Sequence, residues 1–319
     1  MRTRRFFALT LVLALGLAGG SGAFAADYLL LKGDLHCHTN FSPDCQVPPE
    51  KVIADSIAAG YDFISFTDHN SKYQLRKDYS TPELVVLPGY EMTLSGGHYN
   101  VFGIREFLVR GSLIREELGE YMAYLRGLGA FIQLNHPNDV KYGSKYGYDF
   151  NFELLEVLNG RPTEDDYKTI ADYQTLLCSG RKIVAIANSD AHKNHSVRYD
   201  FNWVLSTAKT SEAIMEAIKA GRSFLTTSVN GPLITMNCGD AVMGATVARA
   251  EGLAVDIAIS GMPAGANVKI YTSAGMLADA KADGGSFKAS VPVSDYKFVR
   301  CEVWQNGVIA AMSNPIYID

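Results

Sequence analysis

The chain has 319 residues, 47% hydrophobic and 20% charged, with a formal net charge of −5 at pH 7. These proportions exclude a disordered or collagen-like chain, and the length allows roughly two domains or one large barrel with an appendage. No basic run follows residue 5, so we expect no nucleic-acid partner.

Residues 1–25 predict an export signal. Three arginines precede an apolar segment over residues 6–17, and the tripeptide at 23–25 has the small-x-small pattern of a cleavage site. The apolar segment is shorter than the roughly 20 residues of a bilayer span, so we expect cleavage and a mature protein without a membrane anchor. Both a general secretory (Sec) and a twin-arginine signal stay open. The predicted location is periplasmic or secreted.

Residues 26–229 alternate short apolar segments with helical patterns, which is typical of an α/β barrel or a doubly wound sheet. Helices are predicted around Leu118, after a cap at Thr163, and around Ile214, with Gly221 ending the last of them. The predicted strands are Leu29–Leu35, Phe63–Thr67, Leu84–Glu91, Phe131–Asn135, Leu154–Leu158 and Ile183–Ala187.

Residues 230–319 have a different pattern. Helical stripes stop, and short strands separated by Gly-rich and Asp-rich turns predict a small β-sandwich. Asn230-Gly231-Pro232 is the predicted junction. The predicted strands are Val255–Ile259, Val268–Tyr271, Phe287–Val291, Phe298–Trp304 and Val308–Met312.

Six of the seven histidines lie in five short motifs, each at or just after a predicted strand. In an α/β barrel the carboxyl ends of the strands form one rim, so these motifs are expected to converge there. His-x-His places two imidazoles on one face of a strand, a simple grip for a metal ion. The motifs, in chain order, are His36-Cys37-His38-Thr39, Thr67-Asp68-His69-Asn70, Gly89-Tyr90-Glu91-Met92-Thr93 with Gly97-His98, Asn135-His136-Pro137, and Ser189-Asp190-Ala191-His192.

In this order the five motifs resemble the polymerase and histidinol phosphatase (PHP) superfamily over about residues 32–229. The Glu91 and His98 stretch and the β-rich tail look most like its carbaryl-hydrolase-like branch. The resemblance implies a distorted (β/α)7 barrel that binds two or three divalent metal ions, followed here by the small C-terminal β-sandwich. Nitrogen and oxygen ligands suit manganese, zinc or iron, so the metal is not determined.

The resemblance also implies a ligand set. The first metal would be bound by His36, His38, Glu91 and Asp190. Glu91 would bridge to a second metal bound by His136 and His98, and His69 and His192 would bind a third. Asp44 is our choice for the remaining ligand of the third site, although Ser42-Pro43-Asp44 departs from the common Ser-Asp-Gly wording of the family.

The chemistry implied is hydrolysis of a phosphate ester, a phosphodiester or a small phosphomonoester, by metal-bound hydroxide. Asp68 or His192 would protonate the leaving group. Arg161 and Lys193, both near strand ends, are candidate contacts for the phosphate. The expected partner is therefore a small-molecule phosphate ester, while the oligomeric state is not predicted.

Two alternatives stay open. A metal site of this kind also hydrolyses carboxyl esters or carbamates, because metal-bound hydroxide attacks carbonyl carbons too. An exported, non-catalytic binding protein is the other, with the β-sandwich holding a sugar or a partner. The five cysteines match no zinc-finger spacing, and the sequence does not decide whether any of them pair.

Overall fold

A computed structural model describes residues 28–107, 114–192, 200–282, 284–293 and 295–319. The predicted export signal and the candidate phosphate contact Lys193 lie outside the described residues. Within the described ranges, no helix has both the length and the apolar composition needed to cross a bilayer.

The first part of the chain alternates strands and helices, as the sequence predicts. A short 3-10 helix covers Tyr73–Leu75, after the second strand. The helices are α1 Pro49–Ala58, α2 Arg115–Gly127, α3 Glu164–Cys178 and α4 Ser211–Lys219. The strands are β1 Leu29–Cys37, β2 Phe63–Phe66, β3 Val85–Leu94, β4 Gly97–Phe102, β5 Phe131–Leu134, β6 Leu154–Asn159, β7 Val184–Asn188, β8 Phe201–Ser206 and β9 Ser223–Thr226.

The remainder of the described chain contains strands and no helix, which confirms the predicted change of pattern near residue 230. The strands are β10 Leu233–Cys238, β11 Ala241–Val242, β12 Thr246–Val247, β13 Ala254–Ser260, β14 Asn267–Thr272, β15 Gly275–Lys281, β16 Ser286–Pro292, β17 Phe298–Gln305, β18 Val308–Ser313 and β19 Ile316–Ile318.

The fold is mixed α/β. One large sheet contains the parallel runs β1–β2–β3 and β5–β6–β7, joined through the antiparallel strand β4. On its other side β1 pairs antiparallel with β8, and the order continues through β9, β18 and β17. A second, four-stranded antiparallel sheet has the order β11–β10–β13–β16. The parallel runs direct the carboxyl ends of their strands to one edge, where the histidine motifs lie.

Local sequence explains where the helices begin and end. The Thr163 hydroxyl accepts a hydrogen bond from the Asp166 amide, and the Asp166 carboxylate accepts one from the Thr163 amide, so α3 begins with the predicted reciprocal cap. At the start of α4 the Thr210 hydroxyl accepts a hydrogen bond from the Ala213 amide, without a reciprocal bond. Gly221 follows α4 with φ +71°, a conformation that costs glycine least.

Side-chain amides bind the backbone of β7 on the side away from β6. Asn202 of β8 accepts from the Ala187 amide at 3.0 Å and donates to the Ala187 carbonyl at 2.6 Å. Asn314, near the end of the chain, does the same for Ala185 at 2.8 and 3.0 Å. The Asn188 side chain of β7 accepts from the Leu35 amide of β1 at 3.0 Å. These amides replace the backbone ladder that β7 lacks on this side.

All five cysteines are free thiols, and four of them are buried. Cys37 and Cys301 are enclosed among apolar side chains of separate hydrophobic clusters. Cys178 is the exposed one. This arrangement matches small packing residues rather than a disulfide framework.

Asp200, the first described residue of the segment leading into β8, is a buried acid. It is fully buried, and neither carboxylate oxygen has a hydrogen-bond partner among the described residues. Burial, followed by the nearby carboxylates of Asp166, Asp34 and Glu156, raises the pKa of Asp200 well above its ordinary value of 3.8. The folded protein therefore binds this proton more tightly than the unfolded chain does.

Replacing Asp200 by asparagine is expected to stabilise the protein increasingly as pH rises above about 4. An acid whose pKa is raised by folding loses about 1.4 kcal/mol of stability per pH unit between its unfolded and folded pKa values. Asparagine has no proton to lose, and it tolerates the left-handed backbone of this position, φ +61°. Melting temperatures of D200N and wild type, compared from pH 4 to 7, should diverge by several degrees. A difference that stays constant with pH would contradict the assignment.

Candidate metal centre

The predicted ligands meet at the carboxyl edge of the parallel strands. The end of β1 is held between β2 and the segment after β7: the Asp190 amide donates to the His36 carbonyl at 2.8 Å, and the His38 amide donates to the Ala191 carbonyl at 3.1 Å. An isolated bridge likewise joins His69 to Glu91. Four motifs that are distant in sequence are thus fixed by the backbone itself.

Glu91 lies at the middle of the cluster, is fully buried, and divides the histidines between its two oxygens. Oε1 lies 3.5 Å from His36 Nε2, 3.1 Å from His98 Nδ1 and 3.8 Å from His136 Nε2. Oε2 lies 3.8 Å from His38 Nε2 and also contacts His69 Nδ1. A carboxylate that faces separate histidine groups with separate oxygens has the geometry expected of a bridging ligand.

Asp190 supplies a second carboxylate to the same centre. Its Oδ1 lies 3.3 Å from His36 Nε2, 3.0 Å from His38 Nε2 and 3.5 Å from His192 Nδ1. Asp190 has φ +47° and His136 has φ +25°, values that are uncommon for residues with a side chain. Backbone strain of this kind concentrates at functional sites, where the surrounding structure fixes it.

A third, more exposed group lies beside the first two. His69 Nε2 and His192 Nε2 are 3.3 Å apart, and each lies 3.4 Å from Asp44 Oδ2. The imidazole of His192 is held at its other nitrogen, because Nδ1 lies 2.9 Å from the Asp190 carbonyl oxygen. The Asp44 carboxylate, predicted as the remaining ligand of this group, therefore faces both histidines.

The donor atoms form three overlapping groups that could each hold a metal ion. Within each group the ligand atoms lie within 4.8 Å of one another. His38 and Glu91 belong to two groups each, so the three sites would share ligands. The groups are His36–His38–Glu91, Glu91–His98–His136 and His38–His69–His192.

The donors suit divalent cations. His36 Nε2 and His98 Nδ1 are buried and have no hydrogen-bond partner among the described residues, although both face Glu91. Nitrogen lone pairs and buried carboxylates that converge on one point need a cation to balance them. The residues present therefore fit metal ions of the manganese, zinc or iron type.

Protonation in the cluster follows the same charge balance. Burial disfavours a charged His36, but the Asp190, Glu156 and Glu91 carboxylates outweigh it and hold the pKa of His36 well above its ordinary value. Burial also opposes ionisation of Glu91 and Asp190, yet the neighbouring histidines, His36 foremost, hold both pKa values well below the usual range. For His38 burial prevails and lowers the pKa to about 4. The carboxylates are therefore anionic and ready to bind cations.

Asp68, one of the two predicted proton donors, is placed as an anchor for the loop after β1. It is fully buried and accepts from the Thr39 amide at 2.7 Å and from the Thr39 hydroxyl at 2.9 Å. The Ser42 hydroxyl also bonds to Asp68 and lies 3.0 Å from His38 Nδ1. Asp68 thus acts on the cluster through Ser42, whereas His192, a quarter exposed, faces the open side.

Of the two predicted phosphate contacts, Arg161 and Lys193, Arg161 is the one that the structure describes. Arg161 is exposed and lies two residues after Asn159, whose side-chain amide is 3.2 Å from Asp190 Oδ2. Arg161 is therefore on the same edge of the sheet as the cluster. Lys193 directly follows His192, and its position is not described.

One buried carboxylate beside the cluster is not predicted by the sequence motifs. Glu156, in β6, is 1% exposed, and its Oε1 lies 2.9 Å from His36 Nδ1. The sequence does contain a signal for it. A glutamate between Leu155 and Val157, in an otherwise apolar strand segment, is expected to be buried and to need partners for its charge. Asn135 lies in one of the five motifs without a predicted role, and its side chain donates to Glu91 Oε1 at 2.8 Å.

A family model, the PHP domain, matches residues 34–220, which is more than half of the chain. The chain belongs to the PHP domain family. The matched segment contains every proposed ligand, from His36 to His192. The sequence-based assignment to PHP is confirmed, while membership of the carbaryl-hydrolase-like branch stays a prediction. The chain has no match among curated proteins.

The chain is similar to several solved structures at low sequence identity. A two-domain protein from Bacteroides vulgatus, said to contain a predicted PHP-like metal-dependent phosphoesterase, is 17% identical with a TM-score of 0.51, over 92% of this chain and 96% of that one. PsfC from Pseudomonas syringae is 14% identical with a TM-score of 0.48, over 62% of this chain and 92% of that one. An amidohydrolase from Chromobacterium violaceum is 16% identical with a TM-score of 0.36, over 50% and 87%.

Proposed function

We propose that this PHP protein is an exported, metal-dependent phosphoesterase that hydrolyses a small phosphodiester or phosphomonoester. The observation that supports this most directly is the sharing of Glu91 and His38 among three histidine–carboxylate groups. Shared ligands keep two or three divalent ions close enough to act on one substrate. The similarity to the Bacteroides vulgatus protein, said to contain a predicted PHP-like metal-dependent phosphoesterase, also supports this proposal.

The proposed ligands are those of the three groups, together with Asp190 and Asp44. When bound, divalent ions supply positive charge for phosphate oxygens and make water a stronger acid. The mixture of buried and exposed ligands limits where a substrate enters. Glu91, His36 and His38 are fully buried, whereas His192 and Asp44 are 25% and 53% exposed. The ester would therefore approach from the side of His192 and Asp44.

His192 is the better placed of the two candidate proton donors. Its Nδ1 is held by the Asp190 carbonyl, so Nε2 is the atom that is directed toward Asp44 and the open side. A proton on Nε2 could be passed to a leaving oxygen in the absence of a metal at that atom. Arg161 would contact the phosphate from the same edge. Lys193, which directly follows His192 in the sequence, is the second candidate for this contact.

We also propose that the chain forms a closed barrel followed by a β-sandwich. A distorted (β/α)7 barrel over residues 26–229 is supported by the Asn188 and Asn202 amides, which link β7 to β1 and β8. A β-sandwich over residues 230–319 is supported by a hydrophobic cluster that includes Ile257 of the four-stranded sheet and Val303 of the large sheet. Export through the Sec or twin-arginine route rests on the signal-like segment 1–25.

The test is hydrolysis of bis(4-nitrophenyl) phosphate by residues 26–319 with Mn²⁺, with and without a chelator. Asp190→Asn is expected to lower turnover by at least about 10²-fold, because it removes a ligand charge. Asparagine keeps the left-handed backbone of this position. Asp55→Asn, which breaks only an exposed pair with Lys51 on α1, is the matched control and should behave as wild type.

The other outcomes separate the alternatives. Turnover of 4-nitrophenyl acetate or an aryl carbamate, but of no phosphate ester, by metal-loaded protein would replace the phosphoesterase proposal by a carboxyl-ester or carbamate hydrolase. Metal-loaded protein that turns over none of these esters would favour a binding protein. Protein that takes up no metal would contradict the ligand assignments themselves.

A further inference from the structure

We propose that Glu156 is a positioning residue that fixes the tautomer of His36 and sets the strength of the first metal site. This inference rests on the proposed function only in requiring that the cluster binds metal. Glu156 belongs to none of the three ligand groups. It lies in the middle of β6. In the sheet, β4 and β5 lie between β6 and β3, the strand that carries Glu91.

The surroundings of Glu156 consist of hydrogen-bond donors. Its Oε1 accepts from His36 Nδ1 at 2.9 Å, Asn188 Nδ2 at 2.8 Å and Gln133 Nε2 at 3.2 Å. Its Oε2 accepts from the His136 backbone amide at 2.9 Å and from Asn159 Nδ2 at 3.0 Å. Five donors around two oxygens can be satisfied together only by a carboxylate, which has acceptors alone when ionised.

The contact with His36 decides which ring nitrogen is available. In the neutral form of the ring, the one that can bind a metal ion, the hydrogen bond to Glu156 requires the proton on Nδ1, so Nε2 carries the lone pair. Nε2 is the atom directed at Glu91 and Asp190, at 3.5 and 3.3 Å. A carboxylate behind a metal-binding imidazole fixes its orientation and raises its basicity as a ligand.

Glu156 reaches two further ligands through backbone and amide contacts. It holds the strained backbone of His136 through the amide, and it shares the Asn159 side chain with Asp190 Oδ2, which lies 3.2 Å from that amide. No hydrogen bond joins Glu156 to Asp44, His69 or His192 in the described structure. Its influence should therefore fall on the first and second sites and spare the third.

Glu156→Gln is the critical substitution. Whichever way the amide is turned, its NH₂ group meets at least two of the five donors. Turned toward His36, it favours the other tautomer, in which Nε2 carries the proton and cannot bind metal. We expect the metal affinity of the tightest site to fall by about 10–100-fold, measured by calorimetric titration of chelator-stripped protein with Mn²⁺ and Zn²⁺ and by elemental analysis.

Two controls keep the outcome specific. Glu153→Gln changes a carboxylate three residues earlier, which pairs with Arg126 and contacts no ligand, so it should bind metal as wild type does. Glu156→Asp keeps the charge with a shorter reach and should give an intermediate affinity. Circular dichroism of each stripped variant shows whether it is folded.

A second measurement needs no substitution. In zinc-loaded wild type labelled with ¹⁵N-histidine, long-range ¹H–¹⁵N correlation spectra should show His36 with its proton on Nδ1 and the metal on Nε2. Metal on Nδ1 of His36, or wild-type affinity and stoichiometry in folded E156Q, would overturn the proposal. Wild-type protein that binds no metal would instead overturn the proposed function together with it.

Discussion

Replacing Glu91 by glutamine is expected to abolish most of the activity, with a loss of at least about 10³-fold in turnover. The reason is that Glu91 faces five histidines with its two oxygens, and Asn135 already donates to Oε1. A glutamine would present an NH₂ group to one set of imidazoles and would remove the central negative charge. Both the first and the second metal groups contain Glu91, so both should lose affinity.

The measurement is metal content and phosphodiester turnover of the same preparation. Glu91→Gln should retain less than one equivalent of tightly bound metal, whereas Glu153→Gln should match wild type in both quantities. Glu91→Asp separates charge from reach, because it keeps the anion but withdraws the oxygens from one set of histidines. Full metal content with unchanged turnover in E91Q would show that Glu91 is not the bridging ligand.

The proposed ligands could be predicted from the sequence because they mark strand ends with an unusual residue type. Histidine is rare in this chain, and His36, Glu91, His136 and Asp190 each lie at or beside the end of an apolar segment. Parallel strands bring such ends to one edge whatever their order. Predicting the ligands therefore required only the positions of the strand ends in the sequence, and not the order of the strands in the sheet.

The residues behind the ligands could not be predicted in the same way. Glu156, Asn188 and Asn202 contact partners on strands far away in the sequence, and these contacts depend on the strand order. Strand β4 was not predicted either, although it carries His98. The two-residue turn Ser95-Gly96 was a hairpin signal, and the pairing of Thr93 with His98 brings that histidine back toward Glu91.

The division near residue 230 follows the sequence pattern but does not describe the packing. Strand β18 pairs with β9, and Asn314 binds the edge of β7, so strands from both parts of the chain share one sheet. Tyr317 donates from its hydroxyl to the Ile183 carbonyl at 3.2 Å. The local hydrophobic periodicity predicts the strands of each part. It does not predict how strands that are distant in the sequence pair with one another.

A buried ion pair adds to this contact between the two parts. Arg300 and Glu302 of β17 are each 1% exposed, and the guanidinium donates to Glu302 Oε1 at 2.7 Å. Arg300 Nε donates to Gln174 of α3 at 2.9 Å, and the guanidinium carbon lies 4.5 Å from the centre of the Tyr271 ring. Trp304 donates to the other oxygen of Glu302 at 2.7 Å. The charges are thus compensated only as a pair.

Replacing Arg300 by methionine is expected to lower the free energy of unfolding by about 3–5 kcal/mol, because Glu302 would remain buried without its counter-charge. Adding Glu302→Leu to this variant should restore much of the loss, since an apolar pair of similar volume needs no compensation. The exposed pair between Arg115 and Asp149 provides the control: Arg115→Met should cost no more than about 1 kcal/mol.

Urea unfolding of wild type, R300M, the double variant and R115M measures these differences. A cost for R300M as small as that for R115M, or a double variant less stable than R300M, would show that Arg300 does not stabilise the structure through Glu302. Metal content of folded R300M should equal that of wild type, because this pair contacts none of the proposed ligands.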